Sequence, residues 1–237
     1  MRSDWNFFYE EIKDDLKQKN FVFEKIEEVS EGKNSKSFCL FLSKKKYLLK
    51  FFPRNELNVR DRLNSELKFL KFLNDIGYEN IPKPIFWNHK KKFIVISWLD
   101  GKKIKKVTHS HVKKLIDFIL SIQKNIKSKY SYEIGNASEA YFLLSHHAEH
   151  IKKRISLLVL QTQGINIINN NKLLLQKLIR KITEEYELIL DNNLYKRTIL
   201  EDKNESNPII SPSDIGFHNV LVDKFDQLLF FDFEYAG

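Results

Sequence analysis

The residue pattern changes once, near residue 100, and that change limits the folds open to the chain. Up to Trp98, apolar and aromatic residues come in short runs at 21–29, 36–42, 46–52, 85–88 and 93–98, bounded by turn-forming or basic residues as strands are. Helices are predicted at 4–19 and 55–76; in the second, Val59, Leu63, Leu70 and Leu73 make an apolar stripe and Gly77 stands where it would stop. From Thr108 the periodicity is helical over 109–127, 137–163 and 172–191, broken at Gly135, Gly164 and Asn169 to Asn171. A loop at 206–218 and an apolar hairpin, 219–222 with 228–231, follow. The expected class is α+β and bilobal: a first lobe, 1–99, of small antiparallel sheet with one long helix, and a mainly helical second lobe, 100–237, carrying a loop and hairpin.

Composition excludes several alternatives. With 7 Gly and 5 Pro among 237 residues and 42% hydrophobic content, the chain is neither collagen-like nor disordered. Its formal charge of +9 would suit a polyanion, but the densest basic clusters, 44–46, 90–92 and 102–106, fall at expected turns and loops. No zinc-finger, helix-turn-helix or RNA-binding signature accompanies them, so no nucleic-acid partner is expected. One cysteine, Cys39, forms no internal disulfide, and the charged N-terminus is unlike a secretory signal, so a cytoplasmic location is expected. Aliphatic runs such as 157–160 fall far short of the roughly 20 apolar residues that a membrane span needs.

Several motifs are absent or incomplete. Gly32-Lys33-Asn34-Ser35 lacks the upstream glycine of a P-loop, and there is no dinucleotide fingerprint or nucleophile elbow. His146 and His150, one helical turn apart, could hold zinc only with a third ligand from elsewhere; a polar helix face or the border of an acceptor site accounts for them better.

The chemistry concentrates at the end of the sequence. Ser211-Pro-Ser-Asp214-Ile-Gly-Phe-His-Asn219 runs into the hairpin, which ends in Asp232-Phe-Glu234-Tyr-Ala-Gly237 and should fold Asp232 back beside Asn219. Phosphoryl transfer requires such a set: a carboxylate to take the proton of the attacking hydroxyl, and hard oxygen ligands for magnesium. An isolated Asp-x4-Asn pair more often caps a turn; the hairpin at the right separation is what adds weight. Lys50 is the one charge inside the apolar strand 47–52, and burying it unpaired would be costly. Glu66 shares the apolar face of the following helix and is the expected partner. Either residue alone fits a position at the edge of its element; together with the C-terminal set they read as functional.

In this order of parts the chain resembles the aminoglycoside phosphotransferase and choline kinase family, which has the protein-kinase-like fold. The resemblance implies an ATP- and magnesium-dependent phosphotransferase acting on a small-molecule hydroxyl of sugar, aminoglycoside or amino-alcohol type. Asp214 would be the catalytic base, Asn219 and Asp232 the magnesium ligands, Glu234 an aid to a second metal, and Lys50 with Glu66 the phosphate-positioning pair. The stretch 31–37 would cover the phosphates, with Ser35 near the β-phosphate, and 93–101 would be the strand and hinge that place Ser97 and Leu99 at the base. Two features depart from the family. Pro212 stands where it usually has His, and the sequence stops at Gly237 where relatives continue with helices that complete the lower lobe. These departures motivate the alternative of a catalytically silent nucleotide-binding pseudokinase or scaffold.

Overall fold

A computed structural model describes residues 5–31, 35–53, 61–138, 140–163, 169–201 and 208–237. They form two compact units, 1–138 with 209–237 and 139–208. This division is by packing; the expected boundary after residue 99 separates strand-rich from helical sequence.

The first unit opens with α1 (Trp5–Gln18), then β1 (Phe23–Glu31), β2 (Lys36–Leu42), β3 (Lys45–Phe51), α2 (Arg62–Asp75), β4 (Pro84–Asn88) and β5 (Phe93–Ser97). The five strands make an antiparallel sheet in the order β1-β2-β3-β5-β4. Ser43 and Lys44 make the two-residue β2–β3 turn with φ of 49° and 65°, a left-handed pair that Asn-Gly usually supplies. Neighbours compensate: Ser43 Oγ accepts from the Val22 N–H at 3.1 Å, and Glu24 accepts from the Lys44 N–H at 2.6 Å.

Alternation along the strands divides the core. Leu49, Phe51, Phe93 and Val95 pack with Ile12 and Leu16 of α1, whereas Ile94, Ile96 and Phe52 pack with Leu63, Leu67 and Leu70 of α2. Helix α2 is capped by Asp61, whose side chain accepts from the Asn64 N–H, and it ends at Gly77, whose φ of 75° suits the left-handed position after a helix. Of the expected helix start, residues 55–60 lie outside the described residues.

The same unit continues through β6 (Lys102–Lys103) and α3 (His109–Lys124), and resumes with β7 (Val220–Val222) and β8 (Leu228–Phe230). Strand β6 corrects the expectation of a basic loop at 102–106: Lys102 and Lys103 pair with Val222 and Leu221, adding a third strand to the hairpin. Gly101 permits this, because a Cβ there would lie 2.7 Å from Leu221 Cβ. Phe118 of α3 stacks on Phe230 with ring centroids 4.0 Å apart, fixing the hairpin from beneath.

The second unit consists of α4 (Leu144–Gln163), α5 (Asn169–Asp191) and α6 (Asn193–Glu201). Helix α4 begins seven residues after the expected start at Ala137; Ser138 instead gives its N–H to the Tyr235 carbonyl at 2.9 Å. Helix α6 was not expected. Asn192 creates it by capping: its Oδ1 accepts from the N–H groups of Leu194 and Tyr195 at 2.8 and 3.4 Å, so one helix ends and another starts within two residues.

Candidate active site

The strand alternation that sends Leu49 and Phe51 toward α1 turns Lys50 toward α2. There the ammonium, 4% exposed, donates to Glu66 Oε2 at 2.7 Å, and Glu66 is fully buried. The expected pair is therefore present. Lys50 makes a second bond, also 2.7 Å, to Asp232 Oδ1, so one cation joins the sheet, the helix and the segment after β8.

Asp232 adopts φ +67°, a conformation non-glycine residues seldom take. The turn aims its carboxylate at Lys50 while Phe233, 1% exposed, anchors in the core. Asn219 closes a one-turn 3₁₀ helix (Phe217–Asn219) and is buried. Its Nδ2 donates to the Asp214 carbonyl at 2.9 Å, and its own carbonyl accepts from the Phe231 N–H at 3.2 Å. Two hydrogen bonds thus tie the loop of Asp214 to the strand end that carries Asp232. The Asp214 side chain is 53% exposed, with Oδ1 3.3 Å from His218 Nε2.

Within the loop Pro212 is buried. Ser211 and Gly237 exchange main-chain bonds of 2.7 and 3.0 Å, and Ser211 Oγ accepts from the N–H of Ser213, which has φ +61°.

Burial is the largest influence on Lys50 and opposes its charge, but Glu66, Asp232 and Glu234 together outweigh it and hold the ammonium's pKa above the usual range. Burial pushes Glu66 up to about 7 against the pull of Lys50, with Asp232 and Glu234 adding to the rise. Burial raises the Tyr235 phenol first, with Glu234, Asp232 and Asp214 adding to the rise and Arg62 opposing it.

Sequence reasoning missed Arg62. It lies one helical turn before Glu66, a spacing that puts both on one face of α2, and this was the available signal. Its Nη1 lies 3.2 Å from Glu234 Oε1, and its guanidinium sits 5.2 Å from the Tyr235 ring centroid. Burial raises the Glu234 pKa, with Asp232 adding and Lys50 and Arg62 opposing. Glu234 is thus buried and held by Arg62 through Oε1. Arg62→Ala should destabilise the fold by about 3 kcal/mol, the low end for breaking a buried pair. Chemical denaturation would measure it, and Arg62→Ala/Glu234→Ala should recover part of the loss.

The remaining candidates stand apart from this network. Ser35 precedes β2, while residues 32–34 of the expected phosphate-covering loop lie outside the described residues. Ser97 exchanges bonds with Lys83, giving its N–H to the Lys83 carbonyl at 2.9 Å and accepting the Lys83 N–H on Oγ at 2.8 Å. Leu99 follows β5 and is half-buried. In the other unit, His150 Nδ1 bonds the Tyr141 hydroxyl. No group of three or more His, Cys, Asp or Glu suited to a metal occurs among the described residues.

No family model and no curated protein matches the chain. Solved structures do. A mutant of aminoglycoside 2'-phosphotransferase IIIa, in complex with GDP, is similar with a TM-score of 0.60 and 14% identity, over 98% of this chain and 72% of that one. Spectinomycin phosphotransferase, in complex with ADP and spectinomycin, is similar with a TM-score of 0.58 and 15% identity, over 94% and 69%. An ethanolamine kinase of Plasmodium vivax gives 0.53 and 17%, over 92% of this chain and 57% of that one. The chain therefore has the protein-kinase-like fold. Its neighbours within that fold are aminoglycoside phosphotransferases and an ethanolamine kinase, the resemblance expected from its motifs.

Proposed function

We propose that this protein transfers the γ-phosphoryl group of a purine nucleoside triphosphate, ATP in the first instance, to a hydroxyl of a small molecule. The observation that carries this reading is the Lys50 ammonium bridging Glu66 and Asp232 at 2.7 Å each. An ammonium has three donors; with two engaged, one remains for a phosphate oxygen.

The residues fit magnesium. Asn219 uses its amide nitrogen on Asp214, and Asp232 uses Oδ1 on Lys50. One carboxamide and one carboxylate oxygen remain, a hard donor set that suits this ion when phosphate oxygens and water complete its shell. When bound, magnesium would neutralise charge on the phosphates. Asp214 stands at the exposed edge, where its carboxylate orients the acceptor hydroxyl and takes its proton as the new O–P bond forms. The acceptor class follows the neighbours, whose names cover an aminoglycoside, spectinomycin and ethanolamine; the Ser-Pro-Ser-Asp loop resembles forms tied to carbohydrate hydroxyls.

Magnesium nucleotide at about 100 times its dissociation constant should stabilise the fold by about 2.7 kcal/mol, read as a rise in melting temperature. Phosphate transfer to a panel of sugars, aminoglycosides and amino alcohols should follow. Absence of stabilisation with both ATP and GTP overturns the reading; stabilisation without transfer to any acceptor favours the silent nucleotide binder.

A further inference from the structure

The helical unit carries a surface that the proposed chemistry leaves unused. Helices α4 and α5 run antiparallel, since Tyr186, late in α5, donates its hydroxyl to the carbonyl of Ala148, early in α4, at 3.0 Å. The second half of α4 therefore lies at the same end as the first half of α5. There Leu157, Leu158 and Leu160 of α4 and Leu173, Leu174 and Leu178 of α5 are all exposed, Leu160 by 62% and Leu174 by 67%. This is more than the single exposed leucines any surface shows. On α5 the positions turned inward are 175, 179, 183, 186 and 190, and Leu174, Leu178 and Ile182 form a second apolar stripe beside them that faces solvent.

Charge is sorted along the same axis. From His150 to Thr183 the sequence has no Asp or Glu, and Lys152 to Arg154 on α4 and Lys177, Arg180 and Lys181 on α5 are exposed. The carboxylates, Glu149 on α4 and Glu184, Glu185, Glu187 and Asp191 on α5, lie toward the opposite end, and Glu184 meets Arg180 where the two zones join. Exposed leucines alone would suit any apolar partner, but a surround dominated by cations, of which Arg180 meets Glu184 at 3.6 Å, selects an anionic one. Nucleic acid supplies anions but no apolar phase, and its interfaces are polar. A second copy supplies apolar surface but meets the first with the same positive charge. An anionic bilayer supplies both requirements.

We propose that the shared end of α4 and α5 docks the protein on an anionic lipid surface, the leucines entering the boundary below the headgroups and the basic side chains meeting lipid phosphates. The protein lies on the membrane in this arrangement; no helix among the described residues is long and apolar enough to cross it.

Co-sedimentation of the full chain with vesicles tests this. Vesicles mixing phosphatidylglycerol with phosphatidylcholine should bind the protein at low salt and release it as salt rises, and vesicles of phosphatidylcholine alone should bind it far less. Each basic residue near the surface should contribute about fivefold to the partition coefficient, equivalent to ~1 kcal/mol. Lys177→Gln/Arg180→Gln/Lys181→Gln should thus weaken binding on the order of 100-fold. Leu174→Gln/Leu178→Gln should also weaken it while leaving the melting temperature unchanged, because both side chains are already solvated in the fold. Equal binding to both vesicle types, binding to neither, RNA binding without vesicle binding, or a dimer that the leucine substitutions abolish while vesicles go unbound would each overturn the proposal. No phosphoryl transfer is measured, so this result and the proposed activity stand or fall separately.

Discussion

Asp214→Ala lowers phosphoryl transfer at least ~100-fold, the low end for loss of a general base, and leaves magnesium-nucleotide affinity near its original value. The separation is expected from the geometry. The carboxylate is half exposed and lies 3.3 Å from His218 Nε2, so removing it opens no cavity. Asn219 is held by the main-chain oxygen of residue 214, which alanine retains, so the proposed magnesium oxygens keep their places. Asp214→Asn should behave alike, since it preserves shape and removes only the basicity. Steady-state turnover alongside calorimetric titration of the nucleotide measures both halves. Near-normal turnover in either variant would remove Asp214 from the chemistry, and a collapse of nucleotide affinity would mean the residue acts by holding the loop.

What the sequence disclosed depended on how local each cause is. The Lys50–Glu66 pair was legible because each half follows from one element: strand alternation turns Lys50 to a single face, and helical spacing puts Glu66 among leucines. A lone charge at each inward position leaves pairing as the cheapest outcome. The bond from Lys50 to Asp232 was not legible, because it needs the hairpin register, the seating of Phe230 on Phe118 and a left-handed Asp232 at once. Strand β6 was hidden for a similar reason. Lys102 and Lys103 look like a solvated turn until Gly101 lets the chain approach Leu221, and only then do they acquire partners. In the helical unit periodicity found α5, and its apolar arc is wider than the face that is covered: Leu174, Leu178 and Ile182 are exposed. A pattern of leucines reports that a face avoids water, and leaves open what covers it.

Lys50→Met should have the largest effect on stability. The substitution keeps a long apolar side chain in the strand but removes the cation between fully buried Glu66 and Asp232. Removing one partner of a buried pair costs about 3–5 kcal/mol, set against a total of about 5–15 kcal/mol for a domain, so a sizeable unfolded population is expected. The loss depends on pH, with a definite sign. Burial already holds the Glu66 pKa at about 7, and without Lys50 it rises further. A carboxyl whose folded pKa lies above its unfolded value, about 4.3, makes the folded state bind more protons. Its penalty is therefore absent below that unfolded value and grows as pH rises through the folded one, so Lys50→Met should lose more stability at pH 8 than at pH 5. Asp232, 36% exposed, can be hydrated in place and adds less. Lys50→Met/Glu66→Leu separates the two roles of the pair. With both charges gone the packing should recover most of the stability, because hydrophobic replacement of a buried ion pair is often neutral or stabilising. Phosphoryl transfer should stay abolished, since nothing remains to hold the phosphates. Denaturant titrations at the two pH values with a nucleotide-binding assay decide the matter: a double variant that folds and still binds magnesium nucleotide at the original affinity would show that the pair only braces the sheet against α2, and the proposed active site would lose its centre.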